Sequence, residues 1–298
     1  MTTVGNLAPT IGVFDSGFGG LTVLRALIQR LPQARFAFLG DTARLPYGSK
    51  SRRTIARYAA QSAQFLVREQ GAEFLVIACN TASALALDAI QDAVPVPVLG
   101  VIEPGATAAR AASRTGDVLV IATDATVHSH AYAAACRAHG LRALEKACPL
   151  LVPLVEEGWT DHSVTAEVIR IYLQELTAEA AAQGLNPDTL VLGCTHYPLL
   201  RPLIESVIAH GVPAGIRVID SAQATAEMAF RLFGRQEFES LPGHTILSTC
   251  LDERVGGDTA HPTEIRCFAT DSVEKFERLG SRFLDRPVGK VELVDLGG

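Results

Sequence analysis

The sequence lacks most of the features that identify metal and cofactor proteins. Its six cysteines include no Cys-x-x-Cys pair and its eight histidines show no metal-ligand spacing, whereas zinc sites usually have closely paired ligands. The sequence has only four lysines, and of these only Lys50 lies in a candidate ligand-binding loop. Pyridoxal phosphate forms a Schiff base with a lysine side chain, so the scarcity of lysine near candidate sites disfavours this cofactor. Neither a dinucleotide fingerprint nor a P-loop is present. We therefore predict no metal and no cofactor.

Membrane, secretion and nucleic-acid signals are also missing. No apolar run reaches the about 18 residues of a membrane span, and the first ten residues contain neither a basic patch nor a long apolar core. The net charge is −6, whereas nucleic-acid binding needs a clustered basic face. We therefore expect a cytoplasmic protein with no membrane or nucleic-acid partner, in which disulfides are not expected.

Short apolar runs alternate with helical patterns along the 298 residues. Continuous apolar strands separated by helices indicate parallel sheets that are covered on both faces. The predicted fold is α/β, with two similar doubly wound domains of mostly parallel sheets and an active site in the cleft between them. The clearest predicted strands are 11–15, 36–40, 74–79, 96–101, 118–122, 190–193 and 217–220, and the clearest helices are 21–31, 54–70, 82–93 and 165–183.

Two loop-rich points suggest the domain boundaries. Pro95 and Pro97 precede a crossover near residue 100, and residues 210–215 contain two glycines and a proline. We predict one domain over 100–212 and a discontinuous domain over 1–99 and 213–298. Residues 238–262 are interpreted as an irregular insertion, and a capping-box-like start at 271–274 predicts a final helix.

Polar clusters follow three predicted strands, at the sheet edge where α/β proteins bind ligands. Two of them resemble each other: each has a cysteine, Cys79 or Cys194, then a threonine within two residues, then a helix. Unpaired N–H groups and the helix dipole at such a position favour a thiolate. His196 can pair with Cys194 and Asp15 with Cys79, although both cysteines can also simply fill space.

Two loops complete the candidate site. Gly17-Phe-Gly-Gly20 indicates a backbone N–H pocket for a carboxylate or phosphate, from which Asp15 and Ser16 project, or an ordinary glycine turn. The polar loop from Gly40 to Lys50 is either a ligand-binding loop or a plain surface turn.

Four motifs, in order, carry a family resemblance: Asp15-Ser-Gly, Gly40-Asp-Thr-Ala-Arg-Leu-Pro-Tyr-Gly, Ala78-Cys-Asn-Thr-Ala-Ser and Gly193-Cys-Thr-His-Tyr-Pro. Together with the segments between them, about residues 11–233, the sequence resembles the cofactor-independent aspartate/glutamate racemase superfamily. The Pro-Tyr-Gly loop and the Cys-Thr-His form favour its glutamate branch.

The resemblance implies interconversion of L- and D-glutamate, with D-glutamate supplied to peptidoglycan and a homodimer compatible with the family. Cys79 and Cys194 are implied as the two acid/base residues, assisted by Asp15, His196 and Glu156. The family's Gly-Thr-x-Gly-Thr segment is altered here, with Ala122 and Ala125 in place of both glycines. The implied substrate contacts are Asp15, Ser16, Pro46, Tyr47, Gly48, Asn80, Thr81, Thr123, Thr126, Thr195 and His196.

Other functions stay open at the level of sequence. One is racemisation of aspartate, another amino acid or a hydantoin. A different class is a two-lobed sensor that binds a dicarboxylate in the same cleft, which needs no reactive thiols.

Overall fold

A computed structural model of the chain describes residues 9–211, 215–234 and 263–297. The predicted insertion at 238–262, with Cys250, lies outside these residues. The described strands are β1 (Thr10–Asp15), β2 (Arg35–Gly40), β3 (Phe74–Ile77), β4 (Val98–Gly100), β5 (Asp117–Ala122), β6 (Arg142–Ala147), β7 (Thr189–Gly193), β8 (Arg217–Asp220), β9 (Ile265–Ala269) and β10 (Val291–Leu293).

Helices connect nearly all of these strands, as parallel pairing requires. They are α1 (Leu21–Arg30), α2 (Arg52–Arg68), α3 (Asn80–Leu85), α4 (Leu87–Ala93), α5 (Ile102–Ala112), α6 (Asp124–Ser129), α7 (Ala131–Ala138), α8 (Leu151–Glu156), α9 (Ser163–Ala182), α10 (Arg201–Gly211), α11 (Ser221–Gly234) and α12 (Val273–Leu284). Among the described residues, no helix combines the length and the apolarity that crossing a bilayer requires.

The strands form two sheets. The first has six strands in the order β10-β9-β2-β1-β3-β4, the second has four in the order β6-β5-β7-β8, and every recorded pairing is parallel. All residues of β1, β3, β5 and β7 are buried, because helices cover both faces of each sheet. The predicted α/β class with mostly parallel sheets is thereby confirmed.

The two sheets share a hydrophobic core. One continuous cluster of buried side chains contains Val76 of β3 and Leu192 of β7, together with residues of α1, α9 and α12. Helix α1 packs on both α11 and α12, and the short helices α3 and α6 pack against each other across the two halves. These contacts bring the carboxyl ends of β1 and β3 towards those of β5 and β7.

The strand pairing bears on the predicted domain boundaries. Strand β8 pairs with β7 from Arg217 to Asp220, so the second sheet extends beyond residue 212. Strands β9 and β10 join the first sheet, which is therefore built from both ends of the chain. The division into domains stays a prediction, and the pairing of β8 favours a second boundary after Asp220.

Two element predictions differ from the structure. The single helix predicted at 82–93 is two helices, α3 and α4, separated at Ala86, whose φ of −136° is not helical. Helix α12 begins where expected but without a capping box. Ser272 instead adopts the left-handed conformation, and its backbone N–H donates to Asp271 Oδ1 at 2.7 Å.

Candidate active site

Cys79 lies at the junction of β3 and α3 and is 5% exposed. Its thiol donates to Ser16 Oγ at 3.3 Å and accepts from the backbone N–H of Ala82 at 3.4 Å. Burial and the nearby charge of Asp15 raise the pKa of Cys79 to about 12, against the weaker opposing effect of these hydrogen bonds. The expectation of a favoured thiolate is therefore wrong for Cys79 in this structure, where the neutral thiol is favoured.

Cys194 occupies the matching position after β7 and is also 5% exposed. Its Sγ lies 3.9 Å from His196 Nδ1, and His196 Nε2 lies 3.3 Å from Glu156 Oε1 at the end of α8. Burial alone would lower the pKa of His196, but the hydrogen bonds and charges of Cys194 and Glu156 overcome it and raise that pKa to about 10. These contacts therefore favour the charged imidazolium form of His196 at neutral pH.

Glu156 links this pair to a third group. Burial would raise the pKa of Glu156, but His196 and Lys275 together lower it below its usual value. Lys275 Nζ, on α12, lies 3.7 Å from Glu156 Oε2. Three successive contacts thus connect Lys275 to Glu156, Glu156 to His196 and His196 to Cys194, and the first three side chains alternate in charge.

Asp15 ends β1 and is 2% exposed. Its Oδ2 accepts from the backbone N–H of Gly17 at 3.0 Å, whereas its buried Oδ1 has no hydrogen-bond partner among the described residues. Burial raises the pKa of Asp15, and hydrogen bonds from the following loop together with the charge of His196 oppose this effect. The Asp15 carboxyl group thus lies buried near Cys79, on whose thiol its charge acts.

The glycine loop after β1 allows the two halves to approach closely. A Cβ atom on Gly19 would lie 2.6 Å from both Nδ1 and Cε1 of His196 and would also overlap Oγ1 of Thr195. The Thr22 hydroxyl donates to the backbone oxygen of Thr195 at 2.9 Å. The predicted role of this loop as an N–H pocket stays a prediction, since Gly17 N–H is already bound to Asp15.

Three threonine hydroxyls form a cluster across the halves. Thr81 Oγ1 lies 3.2 Å from Thr123 Oγ1 and 3.3 Å from Thr126 Oγ1, and the last two lie 2.9 Å apart. Thr81 belongs to α3, whereas Thr123 and Thr126 follow β5. The backbone after Ala122 therefore brings both hydroxyls to Thr81 although the family's glycines are absent.

Asn80 is buried next to Cys79 and makes a contact that the sequence did not predict. Its Oδ1 accepts a hydrogen bond of 2.7 Å from the hydroxyl of Tyr132 on α7. Its Nδ2 is buried without a hydrogen-bond partner in the described part of the chain. Tyr132, Thr22 and Lys275 were missed because each acts through a partner distant in sequence.

The tyrosine of the loop after β2 is bound within the loop itself. The hydroxyl of Tyr47 donates to Asp41 Oδ2 at 2.6 Å, so the side chain stabilises the loop. The exposed residues Pro46 and Gly48 flank it; the Pro46 oxygen accepts from Lys50 Nζ at 3.2 Å, and a Cβ on Gly48 would lie 4.0 Å from Ala125. The Tyr47 hydroxyl is therefore already bound within the loop.

The arrangement of thiols, carboxylates and an imidazole is suited to acid/base chemistry. Within residues 9–211, 215–234 and 263–297, no group of three or more histidine, cysteine or acidic residues is placed to hold a metal ion. Cys136, Cys148 and Cys267 are buried, and burial raises the pKa of each thiol. Each sheet has one thiol at the carboxyl end of a strand, Cys79 after β3 and Cys194 after β7. Asp15 lies near Cys79, and the pair of His196 and Glu156 lies beside Cys194.

Comparison with known proteins identifies close relatives. The sequence matches the Asp/Glu/hydantoin racemase family over residues 11–229. A glutamate racemase from Koribacter versatilis (strain Ellin345) is 52% identical over 97% of this chain and 98% of its own length.

Solved structures agree with the sequence match. A glutamate racemase isoform from Bacillus anthracis superposes with a TM-score of 0.81 at 34% identity, over 97% of this chain and 98% of that one. A glutamate racemase from Francisella tularensis subsp. tularensis SCHU S4, crystallised in complex with D-glutamate, superposes with a TM-score of 0.79 at 34% identity over 98% of both chains. The likeness thus extends over nearly the whole length of each protein.

Proposed function

Because this chain belongs to the Asp/Glu/hydantoin racemase family and is an amino-acid racemase of the glutamate type, we propose that it racemises glutamate by proton transfer between Cys79 and Cys194. The observation that carries the proposal is the matched position of the two buried thiols, one at the end of β3 and one at the end of β7. Each thiol has its own acid/base partner, Asp15 for Cys79 and His196 for Cys194.

Racemisation requires that the α-proton leave one face of the substrate and that a proton reach the opposite face. In the proposed reaction, the Cys194 thiolate removes the α-proton of L-glutamate and becomes a thiol. The Cys79 thiol then gives its proton to the other face of the carbanion and becomes a thiolate. D-glutamate reacts by the reverse steps. The neutral Cys79 thiol described above is the form needed for the L to D direction.

Donors around the substrate carboxylate stabilise the carbanion. We assign this role to Asn80 Nδ2 and the Thr81 and Thr195 hydroxyls, because negative charge grows on the α-carboxylate when the proton leaves. The unpartnered oxygen of Asp15 accepts from the substrate near Cys79. On the other side, Glu156 keeps His196 charged beside Cys194.

The remaining substrate contacts follow the family motifs. We propose that Ser16, Thr123, Thr126 and the backbone of Pro46, Tyr47 and Gly48 line the same cleft, supported by the Cys79–Ser16 and Thr81–Thr126 contacts. We further propose a cofactor-free enzyme in the cytoplasm that supplies D-glutamate for peptidoglycan. A homodimer stays a prediction.

Exchange of the α-proton in deuterated water tests the two-thiol assignment. Cys79→Ala and Cys194→Ala are each expected to lose at least about 10²-fold in kcat for racemisation, the scale of general acid–base effects. Cys79→Ala should still exchange the α-proton of L-glutamate through Cys194, and Cys194→Ala that of D-glutamate through Cys79, each with retained configuration.

A third buried thiol is the matched control. Cys267 is 1% exposed in β9, and Cys267→Ala should racemise glutamate at close to the wild-type rate apart from any loss of stability. Running the same assay with L-aspartate tests the substrate assignment. Near wild-type racemisation by either Cys79→Ala or Cys194→Ala would refute the mechanism.

A further inference from the structure

Tyr132 is a fully buried side chain that contacts the immediate neighbours of both proposed catalytic cysteines. Its ring lies against Gly193, the residue before Cys194, and against Gly105. A Cβ on Gly193 would be 2.9 Å from the ring and one on Gly105 3.1 Å. Its hydroxyl donates to Oδ1 of Asn80, the residue after Cys79, at 2.7 Å. The ring is thus packed between these two glycines, with its hydroxyl at Asn80.

The hydrogen bond from the Tyr132 hydroxyl engages the oxygen end of the Asn80 amide. An amide has an acceptor oxygen and a donor nitrogen of nearly equal size, so its orientation is set by its partners. Here the oxygen is bound to Tyr132 and the buried Nδ2 has no protein partner among the described residues. Burial raises the pKa of Tyr132, which keeps its hydroxyl protonated.

We propose that Tyr132 is a positioning residue for racemisation, which holds the Asn80 amide with its N–H₂ group towards the substrate carboxylate. The inference rests on the proposed function, in which Asn80 stabilises the carbanion. The opposite orientation would set the Asn80 oxygen against a carboxylate whose negative charge increases during the reaction. Loss of the tyrosine hydroxyl therefore removes the hydrogen bond that holds the productive orientation without removing the amide.

A double-mutant cycle between Tyr132→Phe and Asn80→Ala tests this coupling. Phenylalanine keeps the ring between Gly105 and Gly193. We expect Asn80→Ala to lower kcat about 10²-fold, the effect of losing one donor to developing negative charge. Tyr132→Phe should lower kcat about 10-fold, as partial loss of that same donor. In the Asn80→Ala background, Tyr132→Phe should lower kcat by less than about a further 2-fold, because the tyrosine acts only through the Asn80 amide.

Tyr197→Phe is the matched control for loss of a buried tyrosine hydroxyl. Tyr197 is also fully buried, but its hydroxyl donates to the backbone oxygens of Ala122 and Cys148. Its effect should be the same in the wild type and in Asn80→Ala. An equal Tyr132→Phe effect in both backgrounds, or none in the wild type, would overturn the inference.

A measurement on the unmutated protein covers the case in which Tyr132→Phe does not fold. The chain has only three asparagines, Asn6, Asn80 and Asn186, so ¹⁵N-asparagine labelling gives three side-chain amide signals, and Asn80→Asp identifies one of them. Saturating glutamate should shift the Asn80 amide signal and not that of Asn186. An unshifted Asn80 signal contradicts the inference. Failure of the proposed function is recognised separately, because Cys79→Ala or Cys194→Ala would then still racemise glutamate.

Discussion

The two proposed catalytic thiols have chemically different neighbours. Cys79 lies beside a hydroxyl and a carboxylate that disfavour its charged form, whereas Cys194 lies beside an imidazolium. A racemase works in both directions, and in the proposed reaction each thiol is the base in one direction and the acid in the other. In this proposal, Asp15 and His196 are the neighbouring groups that influence whether each thiol is protonated.

The charge of Glu156 should govern the alkaline limit of activity. His196 has a pKa of about 10, and removing a nearby opposite charge shifts a pKa by about one unit or more. We expect Glu156→Gln to lower the pKa of His196, so that the alkaline limb of the kcat/KM profile moves to lower pH. Activity near pH 6 should fall less than activity near pH 9.

The neighbouring residue Glu157 provides the control. It is exposed, so Glu157→Gln removes the same charge from the same helix end without removing the partner of His196. Its profile should overlay that of the wild type, measured with either enantiomer of glutamate. An unchanged profile in Glu156→Gln would mean that His196 does not depend on this carboxylate.

Among single residues, the sequence predicts the polar and thiol side chains at the ends of strands, but not their protonation states or their distant partners. Cys79 and Cys194 are found because parallel strands present their carboxyl ends at one edge. Their thiolate state is not predictable in this way. The dipole of the six-residue helix α3 is small, and burial with the charge of Asp15 outweighs it at Cys79. The Tyr132–Asn80 bond depends on tertiary packing alone.

At the scale of elements, the loop between β1 and α1 has a strict steric requirement at Gly19. Gly19 faces the side chains of Thr195 and His196 from the other half, and the His196 ring packs against Phe283 with ring centroids 5.0 Å apart. An added methyl group therefore cannot be accommodated by a simple turn of the imidazole. The glycine is needed for this close approach, which is a different role from the predicted N–H pocket.

Gly19→Ala should consequently impair catalysis more than folding. Displacing His196 by a fraction of an ångström to 1 Å is expected to lower kcat/KM by up to about 10²-fold. The overpacking should cost about 1–3 kcal/mol of the free energy of unfolding. Gly211→Ala, at a position where no described atom lies within 4 Å of the new Cβ, is the control. Wild-type kcat/KM in Gly19→Ala would show that the contact is not needed.

Elements with strong periodicity are predictable, and marginal ones are not. The long helices α2 and α9 lie within two residues of their predicted bounds. Strand β6 was missed because it is an edge strand with no fully buried residue, so it lacks an apolar run. The break at Ala86 was missed because nothing in an alanine- and leucine-rich segment opposes a continuous helix.

Across the whole molecule, the site depends on parts of the chain that are far apart in sequence. Glu156 is on α8, next to the second sheet, whereas Lys275 is on α12, which follows β9 of the first sheet. Their ion pair joins the two halves beside His196, and Lys275 Nζ also lies 5.7 Å from the centre of the Phe18 ring. The family motifs end well before Lys275, so sequence comparison of motifs does not find it.

Lys275→Met should alter the alkaline limb in the direction opposite to Glu156→Gln. The ammonium group opposes the positive charge on His196, so its removal should raise the pKa of His196 and move the limb to higher pH. The shift should be small, because Lys275 is 48% exposed and an exposed pair contributes at most about 1 kcal/mol.

Replacing Lys275 by arginine and varying the salt concentration distinguish the effect of its charge from a loss of side-chain packing. Lys275→Arg keeps the cation and should restore the wild-type limb, whereas Lys290→Met removes an exposed lysine from the same terminal segment and should leave it in place. High salt should bring the wild-type profile towards that of Lys275→Met, because screening weakens the ion pair. If Lys275→Met instead moved the limb to lower pH, the cation would act on Cys194 by a route other than Glu156 and His196.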